Sequence, residues 1–238
     1  MPNTTQRILA FCAQKGGTGK TTLSAHMAAI AATQGYSVAL LDLDPQGSLR
    51  AWYQKRPARG RGDLIFYETA LRALPQTIQE VRGRGATLVI IDTPPKKDAE
   101  IIAAAGWADC VVLPVRTSML DLTAIAPTVG LLRGAPQTRG GRHVAVLNAV
   151  RSGDPDVAGA RVYLERELEL RVAGSAVGDR VAIRRAMNDG QTATETEPRG
   201  RAADELRALW TELAEAFRQP QPRETRKGIT GWHARNPR

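Results

Sequence analysis

Apolar residues in this chain fall into two patterns. Short unbroken runs occur at RILAFCA (7–13), SVALLDL (37–43), LIFYE (64–68), TLVIID (87–92), CVVLPV (110–115) and HVAVLNAV (143–150). Runs of this length, rich in Val, Ile and Leu, are the pattern of strands buried on both faces. Between them, apolar positions recur at helical spacing over 20–34, 69–83, 97–105, 118–132 and 156–170, and 202–217 sets Leu206, Leu209, Trp210, Leu213 and Phe217 on one face. Strand alternating with helix predicts right-handed βαβ units: an α/β fold with a mostly parallel twisted sheet and helices on both faces. After this last helix come RQPQPRETRKGITGWHARNPR, with prolines and no apolar period. The chain therefore divides into a domain over 1–218 and a flexible basic tail over 219–238.

The first strand runs into QKGGTGKTT at 14–22, and a small-residue helix follows. A glycine-rich turn closed by Lys and Thr at a helix N-terminus is a phosphate loop. Backbone N–H groups of Gly16, Gly17, Thr18, Gly19, Lys20, Thr21 and Thr22 would cradle phosphates. Lys20 supplies charge near the β- and γ-phosphates, and the Thr21 hydroxyl is a ligand for Mg²⁺. The pattern departs from the common form in having Gln14 where a glycine is usual, and in a second lysine, Lys15, at the loop's entrance. From there Lys15 is poorly placed to fold back onto phosphates bound by its own loop.

Ligands of open α/β sheets collect at the carboxyl ends of strands. Two such ends carry aspartates, in LLDLDPQGS (40–48) and LVIIDTPP (88–95). In the second, four apolar residues lead into Asp92, the arrangement of a Walker B carboxylate that holds Mg²⁺ through water; a strand-capping aspartate is the plainer alternative. Asp42 and Asp44 alternate along the first, so both can face the same site, Asp42 the better placed for the metal's water shell. Hydrogen bonding to the phosphate loop is the alternative for Asp42.

Composition narrows the classes. Cys12 and Cys110 both sit in strand-like runs and His26, His143 and His233 share no ligand spacing with them, which argues for buried thiols and against a zinc or iron–sulfur site. The expected setting is the cytoplasm, since no apolar stretch approaches the ~20 residues of a membrane span. The formal charge is +9. It is concentrated at 50–61, with five basic residues and no acid, and at 218–238, with six against one.

The combination KGGTGKTT, LLDLDPQGS and LVIIDTPP, in this order and spacing, resembles the ParA-type partition ATPases of the deviant Walker A class, in their small form without an N-terminal helix-turn-helix. DCVVLPVRTSMLDLTAI is similar to the strand and helix that follow there, so the likeness spans roughly 1–217. QTATETEP (191–198) matches loosely, and the long basic tail is not a family feature. The resemblance implies an ATPase using ATP and Mg²⁺, a homodimer formed with ATP, non-specific binding of double-stranded DNA, nucleoid association, and a centromere-binding adaptor that stimulates hydrolysis. It implies that Lys15 crosses to the partner's nucleotide, that Asp44 orients the attacking water, and that Asn148 contacts adenine, a turn-forming role being the alternative for Asn148. In related proteins the DNA-binding arginines lie late in the domain, which points to Arg184 and Arg185, with Arg180 in the same stretch; helix-surface solvation is the alternative. Two other basic regions compete, the tail and 50–61 with its interleaved Trp52 and Tyr53.

Three other functions fit this fold: a metabolic ATP-dependent carboxylate–amine ligase, a positioning ATPase for a non-DNA cargo, and a membrane-surface ATPase. The ligase needs a substrate site, for which only Lys96 and Lys97 are on hand. The membrane form needs a C-terminal amphipathic helix, which Pro220 and Pro222 would break.

Overall fold

The computed structural model describes residues 6–57, 64–135 and 142–218, without the side chains of Phe217 and Arg218. The predicted tail, 219–238, and Phe217's place in the apolar stripe lie outside the described residues.

The elements in order are β1 (Arg7–Phe11), α1 (Lys20–Thr33), β2 (Val38–Asp42), α2 (Ser48–Lys55) and β3 (Leu64–Glu68). A 3₁₀ turn (Leu71–Ala73) then leads into α3 (Leu74–Gly83), followed by β4 (Leu88–Asp92), α4 (Asp98–Trp107), β5 (Cys110–Val115) and α5 (Met119–Gly134). Next come β6 (Arg142–Val150), α6 (Asp156–Val162) with a π turn to Glu167, β7 (Arg171–Val172), β8 (Val177–Gly178), α7 (Val181–Asn188), α8 (Ala193–Thr196) and α9 (Arg201–Arg218).

The strands form one parallel sheet in the order β3-β2-β4-β1-β5-β6-β7, and β8 also pairs with β6. Every residue of β2, β4 and β5 is buried, because helices cover both faces and leave a central strand no polar side. The pleat divides β1 between two cores. Leu9 and Phe11 join Leu23, Leu206 and Trp210 on one face, while Ile8 and Ala10 join Ile78, Ile101 and Leu122 on the other. The apolar stripe of α9 is core: Trp210 is fully buried, meets Tyr36 edge to face, and donates its indole N–H to Gln34 at 2.8 Å.

Cys12 and Cys110 are buried free thiols, pushed up to about 12 by burial. Among the described residues no helix is long and apolar enough to cross a membrane. The fold departs from the sequence reading chiefly at α2 and α7, which lie outside the predicted helices. Each has eight residues and buries only two, Leu49 and Trp52 in one and Ile183 and Ala186 in the other, too few to write a clear period.

Candidate functional site

Strand order brings the carboxyl ends of β1, β2, β4 and β6 together, and the segments leaving them surround a cleft of about 930 Å³. Between β1 and α1 the backbone turns through left-handed conformations at Gly17 (φ +74°) and Gly19 (φ +100°). Gly19 is also required sterically, since a Cβ there would overlap the Asn148 amide. α1 starts at this turn with no side-chain cap and no acid in its first turn. Its first N–H groups and its positive dipole end are thus left for an anion. Thr18 Oγ1, in the same loop, is a buried hydroxyl without a partner.

Lys20 is 6% exposed, and among the described residues its Nζ donates only to the Lys15 carbonyl, at 3.3 Å. Burial lowers its pKa. Asp92, at the end of β4, is fully buried and accepts from Thr21 Oγ1 at 2.6 Å and Ser24 Oγ at 3.2 Å. Burial pushes its carboxyl up to about 7, against the pull of the Thr21 hydroxyl and Lys20. A cation, an uncapped helix start and a hydroxyl–carboxylate pair are the donors and hard oxygens that triphosphate and Mg²⁺ require. The residues present therefore fit both groups, with Thr21 and Asp92 on the metal side. Bound there, Mg²⁺ would offset phosphate charge.

Asp42 ends β2 in register with Asp92 on the neighbouring strand β4, beside the metal side of the site. Its Oδ1 accepts from Asp44 N–H at 2.9 Å and its Oδ2 from Arg50 N–H at 3.2 Å, so the carboxylate builds the turn into α2. It also lines a smaller neighbouring cavity. Burial pushes its pKa up to about 6. Asp44 lines the main cleft, its Oδ1 accepting from Gln46 N–H at 3.0 Å. The Asp42 turn thus holds Asp44 at the site. Lys97, one of the two lysines a ligase site would use, lines the smaller cavity but pairs with Glu100 at 3.4 Å.

Lys15 does not line the cleft; its Nζ lies 2.7 Å from Asp121 Oδ1 at the start of α5. Asn148 lines the cleft, but its Nδ2 donates to Thr18 O at 2.7 Å, so the amide braces the phosphate loop. Arg180, Arg184 and Arg185 all lie on the cleft wall. Arg180 is bound to Glu205 at 2.6 Å and Arg184 to Asp179, whereas Arg185 is exposed and makes no ion pair among the described residues.

The described part of the basic stretch, 50–57, is tied into the fold. Arg50 pairs with Glu68 at 3.0 Å, Lys55 donates to Asn188 O, and Arg56, 3% exposed, pairs with Glu195 at 2.6 Å. Trp52 is buried, its indole N–H bonded to Gln191 O at 3.0 Å, and Tyr53 stacks on Phe66. Arg59 and Arg61 lie outside the described residues. QTATETEP, a loose motif, forms α8 with a capping box from Thr192 and Glu195. Buried His26 bridges α1 to α8, Nδ1 donating to Thr22 O at 2.7 Å and Nε2 accepting from Ala193 N–H at 3.1 Å. Sequence reasoning missed this junction; S/T-x-x-E at 192–195 was its only local signal.

The family model of the CobQ/CobB/MinD/ParA nucleotide binding domain matches residues 9–193. Maintenance of carboxysome distribution protein A of Gloeobacter kilaueensis is 37% identical over 166 residues, 69% of this chain and 72% of that protein. Chromosome-partitioning ATPase Soj of Thermus thermophilus is 27% identical, with 87% and 95% covered. The fold also matches the crystal structure of the cell division ATPase MinD of Pyrococcus furiosus, with TM-score 0.71 and 20% identity over 88% of this chain and 98% of that one. The chain belongs to the CobQ/CobB/MinD/ParA family, and is a P-loop ATPase of the ParA/MinD type that uses ATP with Mg²⁺.

Proposed function

We propose that this ATPase segregates DNA, plasmid or chromosomal: with ATP it forms a homodimer that binds duplex DNA without sequence preference, and hydrolysis stimulated by a centromere-bound adaptor releases it. The observation that carries this reading is that α7 belongs to the nucleotide cleft and also bears exposed arginines, Arg184 and Arg185. A nucleotide that reorders the cleft wall thereby reorders a basic surface. Lys20 and the loop hold the phosphates, Thr21 and Asp92 the metal, and Lys15, turned away from its own cleft, serves the partner's nucleotide. Asp44 orients the water that attacks the γ-phosphate, its position fixed by the Asp42 turn. In Asp44→Ala, ATP binding is expected to survive while single-turnover hydrolysis slows; a wild-type rate would move that role elsewhere.

Fluorescence anisotropy on a labelled duplex tests the DNA step. The ATP form should bind tighter than the ADP form, and affinity should fall steeply with salt, by about 0.9 in log K per unit log[salt] for each phosphate neutralised. Arg184→Ala with Arg185→Ala should erase the nucleotide preference. Equal binding of the two forms at every salt concentration would sink the reading. A second reading, the positioning of a non-DNA cargo, is favoured by the carboxysome-distribution relatives. It differs in the partner that stimulates hydrolysis, so stimulation by a partner that binds no DNA would select it.

A further inference from the structure

One cation on the cleft wall has no role in the chemistry described so far. Among the described residues six cations line the cleft: Lys20, Lys55, Arg116, Arg180, Arg184 and Arg185. Lys20 belongs to the phosphate loop, Lys55 donates to Asn188 O, Arg180 and Arg184 pair with Glu205 and Asp179, and Arg185 is exposed on α7. Arg116 is exposed and makes no hydrogen bond or ion pair among the described residues. Asp121, in the first turn of α5, feels its charge, but that carboxylate is already held by Lys15 at 2.7 Å and Ser118 at 2.6 Å. The backbone on either side of Arg116 is fixed. β5 ends one residue earlier, at the Val115–Leu147 pair with β6, and one residue later Thr117 Oγ1 donates to Asp154 Oδ2 at 2.6 Å. A long basic side chain is thus rooted firmly on the cleft wall with its guanidinium unclaimed.

Strand order decides which end of a nucleotide lies near it. β1, which leads into the phosphate loop, lies between β4 and β5. The side fitted to the metal, Thr21 with Asp92, is at the end of β4. Arg116 leaves β5 on the other side, and the next strand end beyond it is that of β6, where Asn148 braces Thr18 O. Mg²⁺ bridges β- and γ-oxygens. A triphosphate with those oxygens toward β4 therefore runs its α-phosphate and nucleoside toward β5 and β6. We propose that Arg116 is a nucleotide-binding residue, donating its guanidinium to the α-phosphate of the nucleotide held by its own phosphate loop. This rests on the reading that Thr21 and Asp92 hold the metal. The planar fork of an arginine matches phosphate oxygens, and no acid of the fold competes for it. ATP and ADP share the α-phosphate, so the contact anchors either nucleotide. Water reaches the contact, which sets it at the low end for a charge-assisted hydrogen bond, about tenfold in affinity.

The test is calorimetry of the full chain with ADP and with a non-hydrolysable ATP analogue, each with Mg²⁺, comparing wild type, Arg116→Ala, Arg116→Lys and Asp92→Asn. The Arg116 side chain is exposed and holds nothing in the fold, so the apo thermal midpoint of its variants should match wild type. Arg116→Ala should weaken both nucleotides by the same factor, about tenfold. Arg116→Lys keeps the charge without the fork and should recover part of the loss. Unchanged affinity of Arg116→Ala for both nucleotides would overturn the proposal. So would a loss confined to the triphosphate, which would put the arginine at a γ-phosphate, its own or a second copy's. A lysine variant as weak as the alanine variant would mean stacking on the base in place of a phosphate contact, and would overturn it as well. If Asp92→Asn binds ADP with the Mg²⁺ dependence of wild type, it is the reading of the metal side that fails, and Arg116 is still judged by its own two losses.

Discussion

The molecule buries charge in two places, and in opposite ways. At the nucleotide cleft, Lys20 and Asp92 are buried with few partners, and burial shifts both toward their neutral forms. At the junction of α2 and α8, Arg56 and Glu195 are joined by two hydrogen bonds, at 2.6 and 3.2 Å. There burial also opposes the charge on Glu195, but Arg56 and Thr192 outweigh it and its pKa is lowered. Under-compensated charge marks a place that a ligand completes, and compensated charge marks a joint. The joint is not remote from chemistry: α2 starts just after Asp44, and the segment bonded to Trp52, Lys55 and Arg56 is the last residue of α7 and the turn after it.

The contrast breaks most visibly if one partner of the joint is removed. Arg56→Met should destabilise the fold by about 3 kcal/mol, because Glu195 is left part-buried and unpaired. Urea denaturation measures it. Glu195→Gln should cost the same order, and the double variant less than the sum, since the penalty lies in the orphaned charge. A cost below about 0.5 kcal/mol for either single variant, the surface-substitution range, would make the joint an ordinary surface pair.

At the cleft the sign should reverse for stability and the loss should fall on the ligand. Lys20→Ala is expected to weaken ATP binding at least about a hundredfold, near 2.8 kcal/mol. The apo fold should hold or gain stability, because a poorly compensated buried charge is removed. Calorimetry for ATP and thermal unfolding of the apo form read the two effects separately.

The two regions also differed in how far the sequence disclosed them. The phosphate loop and Asp92 were legible because their chemistry is written within a few residues, at the ends of strands whose apolar runs are unmistakable. The sheet was legible for the same reason. The joint was not, because its partners lie far apart along the chain: Arg56 with Glu195, Trp52 with Gln191, His26 with Ala193. Without those partners, 50–61 reads as a basic patch. For Asp42 a period-two argument places the carboxylate on the site's face, beside Asp92, but does not say which N–H groups it also binds, those of Asp44 and Arg50.

The smallest effect is the most specific probe of the joint. His26 is fully buried with both ring nitrogens engaged, and an N–H from Ala193 can be accepted only by the neutral ring. Burial depresses its pKa from 6.5 to about 4, against the pull of the Thr22 carbonyl and Glu195. The folded pKa lies below the unfolded one, so below about pH 6.5 the unfolded chain takes up a proton that the folded chain refuses. Stability is lost as pH falls from 6.5 toward 4, by about 2 kcal/mol between pH 7 and 5. Asp42 and Asp92, raised to about 6 and about 7, act in the opposite direction over the same range, since the folded chain keeps their protons longer. The raw pH profile of the wild type therefore mixes the two regions, and a difference separates them. His26→Gln removes only the histidine's share: whatever its stability at pH 7, it should lose about 2 kcal/mol less than wild type on going to pH 5. Parallel profiles for the two proteins would mean that the imidazole can take up a proton in place, and that the contact between α1 and α8 yields where the joint requires it to hold.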